Sequence, residues 1–257
     1  CRSPDPRSRA GAPVFLVPSD WVIVSAVVLL GLFAARQLKL EHPVLNVRPM
    51  ASVRFWPACL LVVVSMMTTF SMSVLLPLYF EGAYGMTALI AGLLILPAIA
   101  CNAVTSIVGG RVMDARGAWP LLPVGFALIA VGQTAISMTA ASMNIGVVVA
   151  LTVVVYAGVG LVLSPSQTAG LETLPAAEHP HGTALLNTWN MIAASFGPSL
   201  FIGLLSSSAA AASVAGAAID VAQAIGFAAA VRVAAVIAVV GFVASLVYAH
   251  RESHMSH

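Results

Sequence analysis

Charge is what this sequence lacks. Only 8% of its 257 residues are Asp, Glu, Lys or Arg, where a soluble domain carries about 25%. Nothing is charged from Phe55 to Phe80, from Gly82 to Gly110, or from Gly117 to Leu171. A bilayer core of ~30 Å needs ~20 apolar residues in a helix, and each of these runs is longer. With 60% hydrophobic residues and a mean hydropathy of +1.00, the chain cannot cover itself with a wettable surface. The ~10-residue alternating segments of a membrane β-barrel are also missing. The composition therefore predicts an all-α integral membrane protein.

Other absences narrow the function. Eleven basic and nine acidic residues give a net charge of only +2, with no basic patch interleaved with aromatics, so nucleic acid is not an expected partner. The three cysteines (Cys1, Cys59, Cys101) make neither a disulfide framework nor a metal spacing. All six histidines (His42, His179, His181, His250, His254, His257) fall outside the apolar runs. No Gly-x-Ser-x-Gly elbow and no phosphate-cradling loop ending in Lys occur. An enzyme, a metal site, a cofactor and ATP-driven transport are all without support. The chain begins at Cys1 rather than Met, which points to a piece of something longer.

What is present is a series of about seven predicted spans. Residues 1–20 are polar and Pro-rich and read as a loop. Residues 21–38 read as a helix, short but extended by the Trp21 anchor. A polar connection with Arg36, Lys39, Arg48 and Arg54 follows. The remaining spans run over about 55–80, 86–109, 119–138, 146–168, 183–206 and 226–249, and residues 250–257 are a polar tail. If the span at 55 starts inside, the inner loops hold Arg36, Lys39, Arg48, Arg54, Arg111, Arg116 and Arg251, while the outer loops after Phe80 hold no Lys or Arg. Short loops rich in Lys and Arg stay cytoplasmic, so the tail is expected on the cytoplasmic side of the cell membrane. Ala193 with Gly197, and Ser199 with Gly203, are small-xxx-small pairs that allow close helix approach.

The charged stretch Gly109–Pro120 resembles the inner-loop signature of the major facilitator superfamily, Gly-x-x-x-Asp-Arg-x-Gly. Gly110, Asp114 and Gly117 are in register, but Ala115 stands at the usual Arg and Arg116 lies one place along. Leu76-Pro77-Leu78-Tyr79, Ala91 to Pro97, Pro165-Ser166-Gln167-Thr168 and His181 to Thr188 extend the resemblance. Together they are similar to the fourteen-helix drug:proton antiporter branch, particularly its lincomycin-resistance-like members. The resemblance implies one linker helix plus the six-helix C-terminal bundle over 55–249. It also implies a missing N-terminal half that carries the principal proton-linked carboxylate. The implied activity is export of small lipophilic or cationic compounds, driven by the proton gradient. A narrow-substrate metabolite exporter of the same fold and a non-transporting membrane scaffold are the alternatives.

Several residues are candidates for that chemistry. The resemblance makes Gly110, Arg111, Asp114, Arg116 and Gly117 an inner latch. A carboxylate at a helix N-terminus would gain ~0.3–1 kcal/mol from the dipole, which is the expected setting of Asp114. Glu81 abuts a span on the outer side and is the candidate for proton or cation handling. Asn102, Gln133, Asn187, Asn190 and Met72 are candidates to line a cavity: amides in a membrane either glue helices or line polar space, and methionine adapts to varied ligands. Arg232, about two turns into the last span, reads as a snorkelling side chain.

Overall fold

A computed structural model describes residues 55–253 apart from Trp119; the loop expected over 1–20, the linker span over 21–38 and the last four residues of the tail lie outside the described residues. Six helices are long and apolar enough to cross a membrane: α1 (Phe55–Tyr84), α2 (Ala88–Arg116), α3 (Leu121–Thr139), α4 (Ile145–Glu172), α5 (His179–Val214) and α6 (Ile219–Ser253). One-turn 3₁₀ segments, Ala140–Ser142 and Ala176–Glu178, precede α4 and α5. The protein is thus an all-α, multi-pass membrane bundle, as its composition requires. In hydrocarbon a backbone must satisfy its own hydrogen bonds, and the helix does so within each segment. Hydroxyls follow the same rule. Ser65 donates to the Val62 carbonyl at 2.9 Å and Thr152 to that of Val148 at 2.8 Å, so these buried polar residues cost their helices little.

The helices run past the expected spans. α5 has 36 residues, or ~54 Å at 1.5 Å per residue, against a core of ~30 Å. The Ser/Ala stretch after residue 206, expected between spans, continues α5 to Val214, and α6 starts at Ile219 rather than near 226. Loss of hydrophobicity marks the membrane surface; it does not stop a helix whose residues are mostly alanine. The true breaks have backbone causes. Gly85, Gly117 and Gly216 take positive φ of 62°, 77° and 91°, which costs a glycine little. Asn144 caps α4, its Oδ1 accepting the Val147 N–H at 3.3 Å.

α1 is the central helix, packed against α6, α5 and α4; α3 lies between α4 and α6, and α2 rests mainly on α4. The core comes mostly from α1, α3, α4 and α6, with Met72, Tyr79, Phe126, Val155 and Phe227 all fully buried. Close approach is set by glycine. A Cβ on Gly158 would lie 2.6 Å from the Gly125 carbonyl oxygen across the α3–α4 contact, and one on Gly226 would lie 2.5 Å from that of Leu205 across α5–α6. Of the two small-residue pairs on α5, Ala193 and Gly197 are buried, Gly197 against Met67 and Phe70 of α1. Ser199 and Gly203 face outward, with nothing within 4 Å of a Cβ on Gly203.

Contacts identify the two ends of the bundle. Gly182 at the start of α5 meets Leu171 and Leu174 at the end of α4, and Phe55 at the start of α1. At the other end, the Tyr79 hydroxyl donates to the Ala140 carbonyl at 2.9 Å and the Tyr79 ring stacks on Phe227 at 4.1 Å.

Candidate functional site

The chemistry-bearing residues sort by these ends. The first end, where α2 finishes, carries Arg111 and Arg116, both exposed. The second end carries Glu81 in the last turn of α1 and Asp220 in the first turn of α6, and the described turns at that end (85–87, 140–144 and 215–218) hold no Lys or Arg. The charge asymmetry counted along the chain is therefore a property of two faces.

The stretch expected to form an inner latch departs from its expected form. Gly109–Arg116 is the last part of α2, and the turn itself is confined to residues 117–120. Gly117 ends the helix with φ 77°, its N–H donating to the Met113 carbonyl at 2.8 Å. Asp114 is exposed in the last turn of α2. The expectation of a carboxylate at a helix N-terminus is thereby corrected: its own helix presents the negative end of the dipole, which favours Arg116 and disfavours Asp114. Of the two adjacent glycines, Gly110 has open space around a Cβ. Gly109 is the packing one: a Cβ there would lie 3.4 Å from the Gly160 carbonyl oxygen of α4.

Glu81 lies within α1 rather than beyond its end, since the helix continues to Tyr84. It is exposed, and its carbonyl accepts the Gly85 N–H at 3.0 Å. It ends a stripe of α1 that the neighbouring helices leave partly or fully uncovered: Met66, Phe70, Ser73, Pro77 and Glu81. These positions recur at three- and four-residue steps, so they share one face. The stripe was not foreseen. Its residues sit inside an uninterrupted apolar run, where nothing distinguishes the open side of a central helix from its packed sides.

The amides take three different roles. Asn102 on α2 donates from Nδ2 to the Tyr156 carbonyl of α4 at 3.0 Å, tying the two helices. Asn187 is exposed on α5, while Asn190 is 7% exposed with its Oδ1 lacking a partner. Both are among the residues expected to line a cavity, and the structure puts one outside and one inside. Trp189, beside Asn190, meets Trp56 of α1 edge-on at 5.9 Å. Gln133 and Met72 are both fully enclosed in the bundle, facing its interior and not its open side. Arg232 is exposed on α6, ~20 Å along the helix from Ile219. That is farther from the helix start than the two turns expected, because α6 starts earlier. Among the described residues no group of three or more His, Cys, Asp or Glu could hold a metal ion.

Known proteins resemble this chain along most of its length. The model of the Major Facilitator Superfamily matches residues 4–198. The Lincomycin resistance protein LmrB of Listeria monocytogenes is 32% identical over 191 residues, covering 73% of this chain and 41% of that protein. LmrB of Bacillus subtilis is 32% identical over 192 residues, or 73% and 40%. The uncharacterized MFS-type transporter YcnB of Bacillus subtilis is 32% identical over 195 residues, or 75% and 41%. The chain spans about two fifths of the length of the curated relatives it matches.

Proposed function

The chain belongs to the Major Facilitator Superfamily, a family of transporters and not of enzymes, and from that premise we propose that it forms one half of a secondary carrier that exports small lipophilic or cationic compounds in exchange for protons. The other half is a second bundle of the same protein, facing the partly exposed stripe of α1. The carrier sits in the cell membrane with the Arg111–Arg116 end and the C-terminus in the cytoplasm. The two bundles rock about a midplane site and expose it to each side in turn.

The observation that carries this reading is the α1 stripe itself. A central helix, buried on the sides that meet α4, α5 and α6, leaves Met66, Phe70 and Pro77 half-buried and Ser73 exposed in a row that ends at the exposed Glu81. Methionine and phenylalanine adapt to lipophilic ligands of varied shape, and Glu81 places an exposed carboxylate at the end of their row. The similarity to two lincomycin resistance proteins supports a drug-like substrate class.

The test is a dye-efflux panel in cells expressing the full-length protein, with and without a protonophore. Export of lipophilic cations that stops when the proton gradient is collapsed is the expected result. Export of none of the panel, or export indifferent to the gradient, overturns the proposal. In the same cells Glu81→Gln is expected to lower proton-linked export by at least about tenfold, a loss of ~1.4 kcal/mol, with protein levels unchanged. Undiminished export by this variant removes Glu81 from the mechanism.

A further inference from the structure

Two polar side chains in the middle of the bundle have no protein partner. Gln133 on α3 is 0% exposed and neither its Nε2 nor its Oε1 is hydrogen-bonded; Thr68 on α1 is 1% exposed and its Oγ1 is likewise unpartnered. Buried donors and acceptors in native proteins almost always find partners in protein or ordered water.

Helix register sets these two groups at about the same level of the bundle. The helices α1, α3 and α6 meet at two levels. At one, a Cβ on Gly241 of α6 would lie 2.6 Å from Val64 Cγ1 and 2.7 Å from Phe126 Cε1. At the other, Tyr79 of α1 hydrogen-bonds the Ala140 carbonyl just past α3 and stacks on Phe227 of α6. The same two levels are about fourteen residues apart on each helix, running one way on α1 and α3 and the other way on α6. Midway between them lie Ser71 and Met72, Gln133, and Ala234. Side chains on a helix lean toward its N-terminus, so the Gln133 amide falls most of a turn below its own Cα, at the level of Thr68. Thr68 is on the face of α1 that also carries Val64, Leu75 and Tyr79.

The nearby hydroxyls donate within their own helices, and none of them hydrogen-bonds Gln133 or Thr68. The Ser71 hydroxyl donates to the Thr68 carbonyl at 2.7 Å, that of Ser65 to Val62 at 2.9 Å, and that of Ser137 to Thr134 at 2.7 Å. On α6 the buried residues between the two levels include Ala230, Val231, Ala234 and Ala238, which offer no side-chain hydrogen bond. We propose that the junction of α1, α3 and α6 is a binding site for an internal water molecule, held between the Gln133 amide and the Thr68 hydroxyl. A buried water typically makes about three hydrogen bonds. Here the amide oxygen, the amide nitrogen and the hydroxyl supply them, and no ionisable group takes part.

The experiment uses the full-length protein purified in detergent. Thr68→Val and Gln133→Leu are each expected to lower the melting temperature by about 2–4 °C, and the double variant no further than the worse single one, because each single change leaves the other group stranded. X-ray hydroxyl-radical footprinting then identifies the partner. Met72, fully buried at the same level, is expected to be oxidised in the parent protein by radicals formed from the bound water, and protected in Gln133→Leu. Single variants that melt at or above the parent temperature overturn the proposal, since the polar atoms would then contribute nothing. Non-additive melting without Met72 oxidation also overturns it, in favour of a direct bond between the two side chains.

Discussion

Glycine 158 and glycine 203 look alike along the chain, each set in an apolar helix, yet their neighbours separate them. A Cβ at Gly158 meets the Gly125 carbonyl oxygen at 2.6 Å and Ile129 Cγ1 at 2.8 Å, while one at Gly203 meets nothing within 4 Å. A backbone oxygen cannot rotate aside as a side chain can. Gly158→Ala is therefore expected to cost about 1–3 kcal/mol through overpacking. Gly203→Ala is expected to stabilise α5 slightly, by up to ~1 kcal/mol, because glycine is a poor helix interior residue. Thermal unfolding of the two variants in detergent checks the pair; equal effects would show that the α3–α4 contact is looser than the geometry indicates. This is also where sequence reading stops at the scale of single residues. A glycine's spacing reveals the groove on its own helix, but the helix that fills the groove is a tertiary fact. The same holds for the amides: that Asn102 ties helices while Gln133 stays unpartnered depends on what lies opposite.

At the scale of the helix, charge and glycine carry different information. Uncharged runs located all six described helices, because only lipid tolerates them, but they misplaced the ends of α5 and α6. Backbone conformation fixes those ends, and a membrane surface leaves no backbone mark. The end of α2 combines both signals, with Arg116 in its last turn and Gly117 at φ 77°. Asp114, two residues earlier in the same turn at the helix's negative end, opposes its own dipole. If its only role were local, Asp114→Asn would relieve an unfavourable interaction of ~0.3–1 kcal/mol. We expect the melting temperature of Asp114→Asn to hold or rise while export falls. That divergence identifies a residue retained for the transport cycle, as the latch reading requires. A variant that exports normally would reduce Asp114 to a surface charge.

Across the whole molecule, two sets of observations must agree on orientation. The arginines at one end come from sequence distant in order, Arg111 and Arg116 at the end of α2 and Arg251 late in α6, and the reversals of the bundle bring them to one side. The opposite end offers Glu81 and Asp220. Positive loops remain on the side from which the chain was inserted, so Ala115 and Thr87, both exposed and at opposite ends of α2, should see different compartments. In a background with the native cysteines replaced, Ala115→Cys is expected to react with a membrane-impermeant maleimide only in inverted vesicles, and Thr87→Cys only in intact cells. The reverse pattern would invert the bundle. It would put Glu81 in the cytoplasm and separate the latch from the face where substrate is loaded, so the proposed direction of export would have to be abandoned along with the topology.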